Sequence, residues 1–118
     1  MRMLIAAVLM IVSSAALADE VDAAHKLAIS GRDDYWNCLA REYPRDTNKA
    51  KSDQEFTSLI ASACASERQN FRVSLIDFLS LQFPKEEADA HLSTANRAIE
   101  LAQKDIVTAF VRRRAAAK

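Results

Sequence analysis

A single glycine and two prolines are spread over the 118 residues, too few to punctuate a chain of many short strands. That scarcity favours a few long helices, and the length fits one domain with a modest core. Charge of either sign is not in excess: 16 Lys and Arg stand against 16 Asp and Glu. Such a balance excludes a general attraction to nucleic acid or to an anionic membrane. Several signatures of chemistry are missing as well. The sequence holds no Gly-rich phosphate loop, no Cys-x-x-Cys redox pair and no His-Glu-x-x-His metal motif. No basic stripe is interleaved with aromatics, so a nucleic-acid partner is not expected.

What is present begins with an export signal. Met1-Arg2-Met3 carries one positive charge, Leu4 to Val12 is an unbroken apolar run, and Ala16-Leu17-Ala18 has the small-x-small pattern of a cleavage site. The run is shorter than the roughly 20 residues that span a bilayer. Residues 1–18 are therefore expected to be a cleavable signal peptide and 19–118 a single helical domain, delivered to the periplasm of a Gram-negative cell with no stable membrane span afterwards. No cysteine follows the cleavage point, which argues against a lipoprotein. Loss of Arg2 leaves 15 basic against 16 acidic residues, a net charge of −1.

Three helices follow from the periodicity. Asp19, Glu20 and Asp22 place negative charge at the positive end of a helix dipole. Val21, Ala24, Ala28, Tyr35, Cys38 and Leu39 then recur at helical spacing, predicting a helix over 19–43. Gly31 would kink or fray this helix, or divide it in two with Ser30 as the second cap; Pro44 stops it. Ser52-Asp53-Gln54-Glu55 reads as a capping box. Behind it Phe56, Leu59, Ile60, Ala63, Cys64, Phe71, Leu75, Phe78 and Leu79 predict one helix over 53–82. A third helix is expected over 84–115, with Pro84 in its first position. Its seam is Ala88, Leu92, Ala95, Ile99, Ala102, Ile106 and Ala109, a heptad repeat in which small residues allow close helix approach.

Cys38 and Cys64 are the only cysteines. In an oxidising compartment they are expected to form one disulfide stapling the first two helices. The geometry permits it: Cys38 lies about 7.5 Å from the end of its helix and Cys64 about 16.5 Å into the next. The intervening connection can easily climb the difference of about 9 Å.

Other residues invite a role. His25 and His91, with Asp22 or Glu87, could make half a metal site, but scattered histidines on amphipathic helices are usually edge or surface residues, and no metal or cofactor is expected. The adjacent carboxylates Asp33-Asp34 and Glu86-Glu87 diverge by about 100° around a helix and cannot form a hydrolytic pair. Arg112, Arg113 and Arg114 are the one concentrated basic patch, suited to an anion or to the negative end of the helix dipole. Trp36, Ala40 and Tyr43 form a second stripe beside Tyr35, Cys38 and Leu39. Tyr35, Trp36 and Tyr43 are the candidate partner-binding residues; this second stripe closes an edge of the core or offers an aromatic anchor to a protein partner.

The signal, the segment Tyr35 to Leu39 and the segment Ile60-Ala61-Ser62-Ala63-Cys64 resemble small uncharacterised exported helical proteins of Gram-negative bacteria, over roughly residues 1–80. The general plan also resembles exported helical lysozyme inhibitors, which usually carry more cysteines. Neither likeness brings a catalytic residue. The expectation is an all-α protein, a three-helix antiparallel bundle stapled by one disulfide, acting non-enzymatically as a binding or accessory protein towards an envelope protein or peptide. The alternatives are a structural subunit that self-associates as a homodimer through the third helix, and an inhibitor of a periplasmic enzyme.

Overall fold

The computed structural model describes residues 2–117, and the side chains of residues 16–117. The expected signal segment, residues 1–18, lies mostly outside the described side chains. Among the described residues the chain forms four α-helices and no strand: α1 (Arg2–Ala40), α2 (Asp53–Ser62), α3 (Ala65–Gln82) and α4 (Ala88–Ala116), with a single 3-10 turn at Asp46–Asn48. No helix among them is long and apolar enough to cross a membrane.

α1 passes through Gly31 without a break. Gly31 is buried, and a Cβ at this position would meet the Phe71 Cα at 3.1 Å. Here glycine lets two helices touch rather than loosening one. The register of the antiparallel α1–α3 pair follows from three contacts. The His25 and Phe78 rings lie 4.9 Å apart, Gly31 faces Phe71 and Ser74, and Cys38 is disulfide-bonded to Cys64 with Cα atoms 6.2 Å apart.

α1 ends at Ala40, three residues short of the expected Tyr43. Arg41 and Glu42 donate to the carbonyls of Cys38 and Leu39 at 3.3 and 3.0 Å, tightening the last turn into i to i−3 bonds before Pro44. The connection is pinned from within: the buried Asn48 donates through Nδ2 to the Glu42 carbonyl at 2.8 Å and to its Oε2 at 3.2 Å. The capping box at Ser52 is complete. Glu55 N–H donates to Ser52 Oγ and Ser52 N–H donates to Glu55 Oε1, each at 3.1 Å.

The expected helix over 53–82 is in fact two, so the described residues form four helices rather than three. Cys64 stands between them in the left-handed conformation, φ 56° and ψ 47°. The break lets α2 lean on the C-terminal half of α4, where Phe56 stacks on Phe110 with centroids 3.8 Å apart, while α3 lies along α1. Arg68 reaches back and donates to the Ala61 carbonyl at 2.6 Å, satisfying an acceptor left open by the break.

The last helix begins at Ala88 rather than at Pro84, which sits in a turn closed by Glu86 N–H on the Phe83 carbonyl at 3.2 Å. Its buried face is His91, Ala95, Ile99, Ala102, Ile106 and Phe110. The middle of the expected seam is buried, but its ends rotate away: Leu92 is exposed and the larger His91 and Phe110 take the inward positions. Spacings of 4, 4, 3, 4 and 4 exceed the 3.5-residue period, as a straight helix requires.

All four helices meet in one core. Tyr35 and Leu39 of α1, Phe56 and Ile60 of α2, Phe71 of α3 and the inward face of α4 exclude water together. Full burial of each large side chain contributes roughly 1.5–3 kcal/mol.

Candidate functional site

On α1, Ala24, Leu27, Gly31 and Asp34 follow one another at spacings of 3 or 4; on α3, Val73, Asp77 and Leu81 do the same. Because Gly31 draws the helices together, these two rows border a common furrow of about 820 Å³. Small side chains line it, among them Ala23, Ala24, Ser30 and Ser74. Three larger apolar side chains stand along it without meeting a partner: Leu27 is 65%, Val73 48% and Leu81 38% exposed. Asn70 and the carboxylates of Glu20, Asp34 and Asp77 also line it, and no Lys or Arg is part of it. Those three carboxylates form no ion pair among the described residues. Such a surface sets exposed apolar side chains beside carboxylates in an open furrow. It can receive an apolar body with positive flanks.

The candidates named from sequence are dispersed. Tyr35 is fully buried and is a core residue: its hydroxyl accepts a hydrogen bond from Gln103 Nε2 at 3.0 Å and its ring lies 6.3 Å from that of Phe71. It therefore cannot contact a partner. Trp36 and Tyr43 are half-buried and pack against the core, each leaving part of its ring exposed.

The three arginines separate as well. Arg112 is exposed, and the Arg113 guanidinium lies over the Tyr43 ring at 5.9 Å. Arg114 clasps the start of α2: it bonds Asp53 Oδ1 at 2.7 Å and the Lys51 carbonyl, over the Phe110 ring at 4.4 Å. Nearby, Lys49 pairs with Asp46 at 2.9 Å, and this contact holds the Asp46 carboxyl below its ordinary value. Of the three, only Arg114 is ion-paired among the described residues, and it ties the end of α4 to the start of α2.

The histidines do not converge. His25 is exposed against Phe78, whereas His91, expected at an edge or surface, is buried at the start of α4. One group of possible ligand atoms does gather: the sulfurs of Cys38 and Cys64 and a Glu67 carboxylate oxygen lie within 4.8 Å of one another. The sulfurs are bonded to each other and have no thiolate to offer a metal.

Comparison with protein-family models, with curated proteins and with solved structures found no match to this chain. The functional reading therefore rests on the chain's own geometry. The furrow was missed at the sequence level because Leu27 and Val73 fall off the core stripes, where single apolar residues are usual. The available signal was their shared helical spacing with small residues on either side.

Proposed function

We propose that this chain is a non-enzymatic exported protein whose furrow between α1 and α3 binds another protein or peptide of the bacterial envelope. The observation carrying this reading is the alignment of Leu27, Val73 and Leu81 along one open furrow between two tightly packed helices. Exposed apolar surface of this kind is retained where a partner covers it. Export is supported by the apolar segment with its Ala16-Leu17-Ala18 motif and by the disulfide, which persists in oxidising compartments. Self-association through the last helix has less support, because its small-residue seam at Ala95 and Ala102 is already buried inside the chain.

The test is site-specific photocrosslinking in intact cells, with the photoreactive residue at Leu27 or Val73 and a control at the exposed Leu101 of α4. The same adduct from both furrow positions, and none from Leu101, is the expected result. No adduct at the furrow, or equal adducts from all three positions, overturns the proposal. Intact mass of exported material should show a chain starting at Asp19 and lacking both thiol hydrogens.

A further inference from the structure

Resting on that binding role, we infer that the occupant of the furrow is a cationic amphipathic helix. Three features of the furrow select this chemistry. The first is charge. Glu20 and Asp34 lie 14 positions apart on α1, about 21 Å along the axis. Asp77 faces them from α3, at the level of Leu27 by the register that pairs His25 with Phe78. Lys26, Arg32 and Arg72, cations carried by α1 and α3 themselves, bond elsewhere: Lys26 with Asp22 at 3.1 Å, Arg32 with Asp33 at 3.0 Å, and Arg72 with Asn96 at 3.1 Å. Anionic lipid and nucleic acid would be repelled, while Lys or Arg side chains at the flanks of a ligand would meet uncompensated carboxylates.

The second feature is the nature of the walls. Both are α-helices whose backbone groups are bonded within each helix, so an extended peptide would find no sheet edge to complete its hydrogen bonds. A helix brings its own backbone bonds satisfied. The third is shape. Two helices drawn together at Gly31, with small residues lining the furrow and the exposed Leu27, Val73 and Leu81 standing along it, leave the kind of groove that a third helix fills. A ligand helix of about four turns would match the 21 Å between Glu20 and Asp34.

The probe is a synthetic 18-residue peptide of leucine and lysine, with leucines at alternating three and four spacing. Its counterparts replace every lysine by glutamate, or scramble the same composition so that no apolar face forms. Binding to the oxidised full chain is measured by fluorescence anisotropy at two salt concentrations. The lysine peptide should bind at least about tenfold more tightly than either counterpart, and more weakly at high salt. Asp34→Lys with Asp77→Lys should invert the preference towards the glutamate peptide. Glu100→Lys with Asp105→Lys, on the exposed face of α4, should leave it unchanged. Leu27→Asp should abolish binding without altering the thermal melt.

Equal binding of the scrambled peptide, or an equal effect of the α4 charge reversal, would reduce the preference to unspecific attraction and overturn the inference. A chain that is itself a dimer, dissociated by Leu27→Asp, would make a second copy the occupant and overturn it too. The two failures are separable. Crosslinks from Leu27 to an acidic or extended segment remove the cationic helix and leave the binding role intact, whereas the absence of any furrow adduct removes both.

Discussion

Gly31 of α1 lies against Phe71 of α3 so closely that a Cβ would stand 3.1 Å from the Phe71 Cα and 2.8 Å from the Ser74 Oγ. The hydroxyl can rotate away, but the backbone carbon can yield only if the helices part. Two effects oppose each other in Gly31→Ala. Helix propensity favours alanine by about 1 kcal/mol, and overpacking costs about 1–3 kcal/mol. We expect the second to win, with a lower melting temperature that Ser74→Ala restores only in part. A raised melting temperature would mean that the helices are not in contact there.

A second expectation concerns the disulfide and the backbone beneath it. Bridging residues 26 positions apart stabilises by roughly 3.5 kcal/mol in the chain-entropy model. Removing both sulfurs as Cys38→Ala with Cys64→Ala should lower the melting temperature by well over 10 °C at about 4–8 °C per kcal/mol. Cys64 also holds φ at 56°, a conformation that costs a side-chain-bearing residue roughly 1–2 kcal/mol and glycine almost nothing. Cys38→Ala with Cys64→Gly should therefore melt higher than the double alanine variant. Equal melting would show that α2 and α3 fuse into one helix once the bridge is gone.

That break marks where the sequence stops being informative. The core faces were legible because burial repeats with the helix period: Tyr35 and Leu39, Phe56 and Ile60, and Ala95 through Ile106 all point inward. The capping box was legible because its bonds join residues three apart. The cysteine pairing needed only that there be two. Nothing in Ala61-Ser62-Ala63-Cys64-Ala65 signals a stop, since no glycine, proline or asparagine is present. The left-handed turn at Cys64 comes with tertiary packing, in which α2 and α3 meet different neighbours. Burial of Asn48 and His91, both polar, likewise depends on contacts that no local pattern encodes. The furrow is harder still, because it is defined by side chains that the fold leaves uncovered.

The start of α2 should respond to acid. Hydrogen bonding from the Ser52 backbone, and secondarily its side chain, holds the Glu55 carboxyl below its ordinary value of 4.5. A depressed carboxyl contributes stability that is fully present above the ordinary value and is lost as pH falls through the lower, folded value. The stability difference between the native chain and Glu55→Ala should therefore be constant at neutral pH and shrink on acidification below 4.5. Ser52→Ala should cost about 1 kcal/mol at neutral pH through loss of the cap itself. A Glu55 difference that persists unchanged into strong acid would show that the reciprocal bond is not formed in solution.

His91 supplies the last expectation. It is only 3% exposed, yet its Nδ1 has no hydrogen-bond partner, the closest carboxylate being Glu86 Oε2 at 3.7 Å. A buried polar atom left unpaired costs roughly 1–3 kcal/mol, whereas an apolar group of similar size in the same place incurs no such penalty. His91→Leu keeps most of the volume and removes the orphaned nitrogen, so it should melt at least as high as the native chain. His91→Ala removes the nitrogen too but leaves a cavity, and should be destabilised by about 2 kcal/mol or more. The contrast between the two is the informative quantity. Were leucine as damaging as alanine, the imidazole would have to be making a hydrogen bond in solution, with Glu86 closing the 3.7 Å gap as the natural acceptor. Glu86→Gln should then reproduce part of that loss, and under the expected outcome it should change nothing.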